Sequence, residues 1–491
     1  MFETLEIGRK VKRKDFNREV LELRQKLLEL QFELEDRDFP VFIIVSGVEG
    51  AGKGSVVHRL NEWMDPRLIE THAFWDHSDE EESRPFSWRF WRAMPANGRI
   101  GIFFGSWYTR PVLHRASDKI SEDSFTVEMQ RIVEGERMHT DDGALIIKLW
   151  FHLPEEIASE RVRIDRLREL TEIDIEEDSL EFHEAYNQLK LVSERAIRAT
   201  DTGHSPWHLI EATDANYRDL TAGQVVEQCL RERLKKSYKV DSSSPPVSLG
   251  DSGQPTILDT LDATAALDSE HYKAELERFQ TELENLAWEA RRQAVPVVAV
   301  FEGWDAAGKG SAIRRVTQAI DPRLFHLFQF AAPTDEEAAH HYLWRFWRQL
   351  GRNGKFTLFD RSWYGRVLVE RVEGFAADNE WQRAYGEINR FEEQLADHGT
   401  ILLKFWIHIS QDEQLARFKQ REKTPHKQHK ITEEDWRNRE KWHDYELAVH
   451  DMVTHTSTLS APWTLVAGND KRYARIQILR TFCEALAKRL R

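Results

Sequence analysis

A glycine-rich segment containing one lysine, Gly303 to Ser311 (GWDAAGKGS), has the residue types that hold phosphate groups. It follows a short apolar run, Pro296 to Phe301, which predicts a buried strand, and a helix is expected to begin at Lys309. Glycines let backbone N–H groups point into one concavity, and the helix N-terminus and the lysine add positive charge. The pattern therefore predicts a phosphate-binding loop, with phosphate contacts at Gly308, Lys309, Gly310 and Ser311.

Two aspartates are candidates for binding a metal ion. Asp305 lies inside the loop, where a carboxylate beside phosphates requires a compensating cation or a proton to accept. Gly310 follows the lysine directly, at the place where the usual loop has a Ser or Thr that binds Mg²⁺. Asp360 ends a second apolar run, as the acidic metal ligand of P-loop enzymes does. We expect Asp305 and Asp360 to share one or two Mg²⁺ ions. The alternatives are Asp305 as a general base or as an exposed turn residue, and Asp360 paired with Arg361.

Arginines near these positions are candidates for binding the charged substrate. Arg361 and Arg366 follow Asp360 and are expected to face phosphates. The basic segment, residues 417–441, predicts a helical lid that closes over phosphates and excludes water; a solvated charged surface is the alternative. Arg345 lies in an aromatic helix, WRFWR, and is as compatible with a ligand contact as with the surface.

The elements that position these residues occur twice in the chain. The second glycine loop ends at Lys53, and 309 − 53 gives an offset of 256 that holds along both halves. The matched pairs include Trp88–Arg92 with Trp344–Arg348, Ser106–Tyr108 with Ser362–Tyr364, Lys148 with Lys404, and Trp207 with Trp463. Apolar strands alternate with helical patterns, which predicts parallel sheets covered by helices. The fold class is therefore α/β, with two tandem P-loop kinase-like domains at residues 1–240 and 257–491, joined by a Ser-, Pro- and Gly-rich linker at 241–256.

The N-terminal copy lacks several of the candidate functional residues. At the offset of 256, the residues equivalent to Asp305, Asp360 and Arg361 are Glu49, Phe104 and Gly105. In the basic segment, the residues equivalent to Arg421, Lys427, Lys430 and Arg437 are Asp165, Thr171, Asp174 and Glu181. The loop lysine is kept as Lys53, and Arg417 is kept as Arg161. We therefore predict that this copy folds but does no chemistry, and that it completes the surface of the other copy as a second subunit would.

Composition excludes several classes of protein. Of 491 residues, 41% are hydrophobic, and no apolar run is long enough to span a bilayer. The charged segment Met1 to Asp15 lacks the apolar core of a signal peptide. The net charge of -15 speaks against a nucleic-acid-binding surface. Two cysteines cannot form a disulfide framework, so a reducing cytoplasm is expected. The sequence leaves open whether the chain forms a homo-oligomer.

The motifs GWDAAGKGSAIRR, DPRLF, LWRFWR, FDRSWYGRVLVERV, KFWIHIS and RFKQR resemble those of the polyphosphate kinase 2 family over essentially the whole C-terminal copy. The tandem arrangement resembles that of its two-domain members. The resemblance implies transfer of the terminal phosphoryl group of inorganic polyphosphate to AMP, giving ADP, with Mg²⁺. It also implies that Asp305 and Asp360 bind metal, that Lys309 and Arg361 bind phosphates, and that Arg417 and Arg421 are lid arginines. Arg345 and Arg366 are then the candidates for nucleotide binding.

Three other functions remain open from the sequence. The first is transfer to ADP, making ATP. The second is an ATP-dependent small-molecule kinase, which would explain the loop equally well but Asp305 and the tandem architecture less well. The third is a polyphosphate or nucleotide sensor without turnover. The complete set of candidate residues in the C-terminal copy argues against a sensor.

Overall fold

The same sheet is built twice in a computed structural model that describes residues 1–74, 77–169, 178–235, 255–424 and 433–490. The strands are β1 (Val41–Gly47), β2 (Ile69–Ala73), β3 (Ile100–Phe104), β4 (Leu145–His152), β5 (Trp207–Glu211), β6 (Val297–Gly303), β7 (Phe325–Gln329), β8 (Phe356–Asp360), β9 (Ile401–His408) and β10 (Trp463–Ala467). All paired strands are parallel, in the orders β2-β3-β1-β4-β5 and β7-β8-β6-β9-β10. The predicted α/β class with parallel sheets is confirmed.

Helices connect the strands in both halves. Those of the N-terminal half are α1 (Arg13–Glu35), α2 (Lys53–Trp63), α3 (Asp79–Glu82), α4 (Trp88–Arg92), α5 (Thr109–Ala116), α6 (Glu122–Asp141), α7 (Glu155–Glu169), α8 (Asp178–Thr200) and α9 (Ala215–Lys235). Those of the C-terminal half are α10 (Ser269–Arg292), α11 (Lys309–Thr317), α12 (Asp335–Ala338), α13 (Trp344–Trp347), α14 (Val369–Val372), α15 (Asp378–Asp397), α16 (Gln411–Glu422), α17 (Glu433–Glu440), α18 (Trp442–Thr456) and α19 (Lys471–Leu490). Within the described ranges, no helix combines the length and apolar character needed to cross a membrane.

The chain divides into two compact units. Unit 1 comprises Met1–His77, Phe90–Asp241 and Ala338–His341, and unit 2 comprises Ser78–Arg89, Ser242–Glu337 and Tyr342–Arg491. The short segment at 78–89 belongs to unit 2 because its backbone and side chains bond there: Asn353 N donates to Ser83 O at 3.0 Å, and Arg84 Nε donates to Leu350 O at 2.8 Å. The sequence pattern did not predict this grouping. The boundaries at 240 and 257 stay predictions, and most of the linker lies outside the described residues.

The order of the strands determines which candidate residues lie next to each other. The central strand of unit 2, β6, runs into the glycine loop, and β8 lies beside it with Phe301 opposite Asp360. The carboxyl ends of neighbouring parallel strands meet at one edge of a sheet, where ligands bind in open α/β folds. The loop and Asp360 are therefore brought together by the topology, as the sequence predicted.

A buried ionic cluster recurs in both units at the constant offset. In unit 2, Lys404 Nζ donates to Glu392 Oε2 at 2.7 Å and to Tyr364 Oη at 2.9 Å, and all three side chains are buried. Burial raises the pKa of Glu392 and lowers that of Lys404. The same bonds are made in unit 1 by Lys148, Glu136 and Tyr108. Because a buried charge must be paired to be tolerated, these residues belong to the shared fold rather than to one reaction.

Candidate functional site

The phosphate loop of unit 2 joins β6 to α11. At Gly303 (φ 147°) a Cβ would meet Ile407 O at 2.5 Å, so a side chain cannot be accommodated at this position. Gly308 (φ 113°) precedes the first helical residue, Lys309, whose Nζ donates to Gly303 O at 2.6 Å. Ser311 Oγ accepts hydrogen bonds from Arg475 Nη2 at 2.9 Å and Nε at 3.0 Å. The loop therefore has the strand–loop–helix arrangement that phosphate binding requires.

Asp305 and Arg361 meet across the gap between the loop and the end of β8. Arg361 Nη2 lies 3.5 Å from Asp305 Oδ1, and Asn438 Nδ2 donates to Asp305 Oδ2 at 2.9 Å. Asp360 precedes Arg361 and ends the strand next to β6. The structure thus brings together the predicted residues Asp305, Asp360 and Arg361 beside the loop that carries Lys309. This arrangement places two carboxylates and two cations at one edge of the sheet.

A third carboxylate, Glu302, was not predicted. It is the last residue before Gly303 and is buried, with 6% of its surface exposed, and Ser362 Oγ donates to its Oε1 at 2.8 Å. Burial raises its pKa; the positive charges of Lys309 and Arg361 oppose this shift, and the negative charge of Asp360 adds to it. Glu302 therefore lies among the candidate residues and links the ends of β6 and β8. The corresponding residue in the N-terminal copy is Ser46, and that difference could have identified it from the sequence.

Arg366 and Arg345 both contact other residues of this chain. The Arg366 guanidinium lies 3.2 Å from Glu370 Oε2 and stacks over the Tyr342 ring at 4.6 Å. Arg345 is only 9% exposed, donates to Ala331 O at 2.8 Å, and has its pKa lowered by burial. A ligand at Arg345 would have to replace this bond, whereas Arg366 keeps a stacked, partly exposed face. Nucleotide contacts at both positions stay predictions.

Arg417 differs from the expectation of a lid arginine facing phosphates. It is 4% exposed, and its guanidinium donates to four backbone carbonyls. These are Ala306 O (3.0 Å), Ala307 O (2.8 Å), Gly468 O (2.7 Å) and Asn469 O (2.9 Å). Its Nε also donates to Glu413 Oε1 at 2.6 Å, so Arg417 joins the phosphate loop to the turn after β10. A contact between Arg417 and polyphosphate stays a prediction.

The rest of the basic segment is only partly described. Arg421 lies one turn after Arg417 on α16 and is partly exposed, so its phosphate contact stays a prediction. Arg437 and Lys441 contact the buried carboxylate of Glu373, at 3.0 and 3.1 Å. Lys427 and Lys430, like their counterparts Thr171 and Asp174, lie outside the described residues.

Side chains of unit 1 itself occupy its glycine loop. Lys53 Nζ donates to Gly47 O at 2.8 Å, and burial lowers its pKa to about 8. Arg218 Nη1 donates to Ala51 O at 3.3 Å and occupies the space beside Gly52. At the end of β3 the chain has Phe104 and Gly105 in place of Asp360 and Arg361. Unit 1 therefore keeps the loop without the charged residues opposite it.

Comparison with known proteins agrees with this geometry. The model of the family described as polyphosphate kinase 2 matches the chain twice, over residues 10–238 and 266–491. A Pseudomonas aeruginosa protein named polyphosphate:AMP phosphotransferase is 48% identical, with 99% of this chain and 98% of that protein covered. A protein of the same name from Pseudomonas syringae pv. tomato is 46% identical, with the same coverage of 99% and 98%.

A solved structure is similar over the whole chain. The crystal structure of a putative polyphosphate kinase 2 from Pseudomonas aeruginosa PA01 has a TM-score of 0.88 and 47% sequence identity, and covers 100% of this chain and 99% of its own. Both repeats match the family model, and the relatives are similar along almost the entire sequence. The protein therefore belongs to the polyphosphate kinase 2 family and carries two tandem copies of its domain.

Proposed function

We propose that the protein transfers the terminal phosphoryl group of inorganic polyphosphate to AMP, giving ADP, and that unit 2 catalyses the reaction. The main support is the meeting of Asp305, Lys309 and Arg361 beside a phosphate loop. Their arrangement suits a highly charged donor, because phosphoryl transfer depends on positioning and charge neutralisation. The choice of polyphosphate and AMP is supported by the two similar proteins named polyphosphate:AMP phosphotransferase.

In this mechanism the loop N–H groups and Lys309 hold the terminal phosphates of the donor. Arg361 would approach the transferred group from the end of β8, and Arg366 and Arg421 would bind further phosphates or the acceptor. The attacking oxygen belongs to the phosphate of AMP, which is largely ionised at neutral pH because its second pKa is about 6. A general base is therefore not required, and we assign Asp305 to metal binding.

The carboxylate ligands that unit 2 offers suit a magnesium ion. Among the residues that the structure describes, no three His, Cys, Asp or Glu side chains are grouped so as to enclose a metal ion. Mg²⁺ is typically bound by one or two carboxylates together with water and substrate phosphates, so Asp305 and Asp360 are sufficient protein ligands. When bound, the ion would neutralise negative charge on the phosphates.

For unit 1 we propose a structural role. Arg218 occupies the space beside Gly52, whereas the space beside the equivalent Gly308 is open, and unit 1 lacks the carboxylate and arginine at the end of β3. The two cysteines of the chain are free thiols, which is compatible with the reducing cytoplasm that we propose as its location. Assembly into a homo-oligomer is not needed for this mechanism.

Phosphorus NMR on the full-length protein tests the proposal. Polyphosphate or ATP is supplied as donor, with AMP, ADP or GMP as acceptor, in Mg²⁺ or in EDTA. We expect ADP from polyphosphate and AMP only with the metal present, and Asp360→Asn should reduce turnover at least ~10²-fold. Phosphorylation with ATP alone would support a small-molecule kinase, and phosphorylation of ADP alone would support the ATP-forming reaction. Polyphosphate binding without turnover would support a sensor.

A further inference from the structure

The amide of Asn438, on α17 in the basic segment, is fixed at both ends. Its Nδ2 donates to Asp305 Oδ2 at 2.9 Å, and its Oδ1 accepts a hydrogen bond from Tyr445 Oη at 3.3 Å. The hydroxyl donor at Oδ1 sets which way the amide points, so an N–H is directed at the carboxylate. Asp305 is 16% exposed, which strengthens a bond to its charge.

Contacts around Asn438 fix the position of the phosphate loop relative to the neighbouring helices. The Trp304 ring stacks on Trp442 of α18 with centroids 3.7 Å apart and planes inclined by 7°. Gln414 of α16 donates its Nε2 to the backbone oxygen of Asp305 at 3.2 Å. The backbone of Asp305 and the side chain of Trp304 are thus held by α16 and α18. Asn438 adds the contact that determines where the Asp305 carboxylate points.

We infer that Asn438 is a positioning residue for Asp305. By occupying Oδ2 it leaves Oδ1 facing Arg361 and the end of β8, where the proposed metal and the transferred phosphate would lie. The inference rests on the proposed function, in which Asp305 is a metal ligand. Partners that orient a metal ligand typically change metal affinity or activity by 10- to 100-fold when removed.

Comparison of the two copies supports a role tied to Asp305. At the position equivalent to Asn438 the sequence has Phe182, and at the position equivalent to Asp305 it has Glu49. The amide donor and the aspartate are therefore absent together from the copy that lacks Asp360. The residues that fasten the loop change as well, Trp304 to Val48 and Gln414 to Ala158, so the variants below are what separates positioning from tethering.

Asn438→Ala distinguishes positioning from simple tethering. The measurement is Mn²⁺ binding to the full-length protein without substrates, followed by electron paramagnetic resonance of the free ion. We expect roughly tenfold weaker Mn²⁺ binding in Asn438→Ala and no specific binding in Asp305→Asn. Tyr445→Phe, which frees the amide to turn, should weaken binding in the same direction but by only about two- to fivefold.

Arg437→Gln is the matched control on the same helix. It removes a contact of the basic segment with Glu373 at 3.0 Å but leaves Asp305 untouched, so its Mn²⁺ affinity should equal that of the wild type. In turnover assays Asn438→Ala should raise the Mg²⁺ concentration for half-maximal activity by the same factor as the loss of Mn²⁺ affinity. The KM for AMP should stay within about threefold.

Three results would overturn the inference. The first is wild-type Mn²⁺ affinity in Asn438→Ala, which would leave the residue as a tether. The second is an equal loss in Arg437→Gln, and the third is Mn²⁺ binding to the wild type that does not depend on Asp305. Failure of the proposed function has a different signature, which is a wild-type protein that binds Mn²⁺ through Asp305 but does not phosphorylate AMP from polyphosphate.

Discussion

Arg361 is held in a backbone conformation that disfavours any residue with a Cβ. Its φ is 64°, and the equivalent residue of unit 1, Gly105, has φ 77°. The same left-handed turn is therefore built in both units, with glycine where no charge is present. For a residue other than glycine this conformation costs roughly 1–2 kcal/mol. Strain of this kind persists where the surrounding structure and function require the side chain.

We predict that Arg361→Gly separates stability from activity. Relief of strain contributes about 1–2 kcal/mol in favour of the folded state, and the greater freedom of glycine in the unfolded chain offsets about 0.5–1 kcal/mol of this. The lost ion pair with Asp305, at 3.5 Å with the arginine 43% exposed, is worth at most about 1 kcal/mol. The free energy of unfolding should therefore stay within about 1 kcal/mol of the wild type. Turnover should fall at least ~10²-fold because a charge on the transferred phosphate is no longer stabilised.

Two further variants make this prediction specific. Arg361→Ala loses the same charge but keeps the strain, so it should be less stable than Arg361→Gly by about 1 kcal/mol. Ala306→Gly relieves similar strain within the phosphate loop (φ 63°, where Gly50 of unit 1 has φ 73°) and removes no charge, so its activity should remain within about tenfold of the wild type. Urea denaturation and phosphorus NMR measure the two quantities. Near-normal turnover of Arg361→Gly, or lower stability than Arg361→Ala, would refute the reasoning.

The remaining predictions concern the loop lysines and the buried ionic cluster. Lys309→Ala should abolish ADP formation, whereas Lys53→Ala should leave turnover within a few-fold of the wild type by phosphorus NMR; an inactive Lys53→Ala protein would show that unit 1 takes part in the reaction. Lys404→Met leaves the buried Glu392 without its cation and should lower the free energy of unfolding by about 3–5 kcal/mol in urea denaturation. Adding Glu392→Gln should restore part of that loss, and a change below about 1 kcal/mol in the single variant would contradict the assignment.

Much of the fold was accessible from the sequence because its strands are buried on both faces. The continuous apolar runs Pro296–Phe301, Lys355–Phe359, Ile401–Ile409 and Trp463–Ala467 predict strands, and β6, β8, β9 and β10 agree with them to within two residues at each end. The edge strand β7 was missed, because its residues are only partly buried and show neither a continuous apolar run nor a clear alternation. Strand order could not be derived either, since it depends on which helices pack on which face of the sheet.

The site was predicted where it depends on local motifs and missed where it depends on tertiary contacts. Asp305 and Arg361 were identified from the residues around them, and the structure places them together. Arg417 was assigned to phosphate by the sign of its charge, but in the structure it bonds to backbone carbonyls and to the Glu413 carboxylate. Charge indicates that a residue needs a partner without showing which partner the fold supplies. Glu302 was missed because it lies between the apolar run and the glycine loop and belongs to neither motif; its replacement by Ser46 in unit 1 was the available signal.

The internal duplication separates structural from functional residues within a single chain. Arg161, the counterpart of Arg417, donates to Gly50 O at 3.2 Å, so this arginine clamps the glycine loop in unit 1 as it does in unit 2. Because Arg161 and Arg417 bond to equivalent backbone carbonyls, this arginine supports the glycine loop in either copy. Asp360 is instead replaced by a residue that cannot bind metal, although the surrounding backbone persists. The copy that keeps the fold but lacks Asp360 and Arg361 is thus an internal control, and it supports the proposal that these two residues act in unit 2 together with Lys309 of the retained loop.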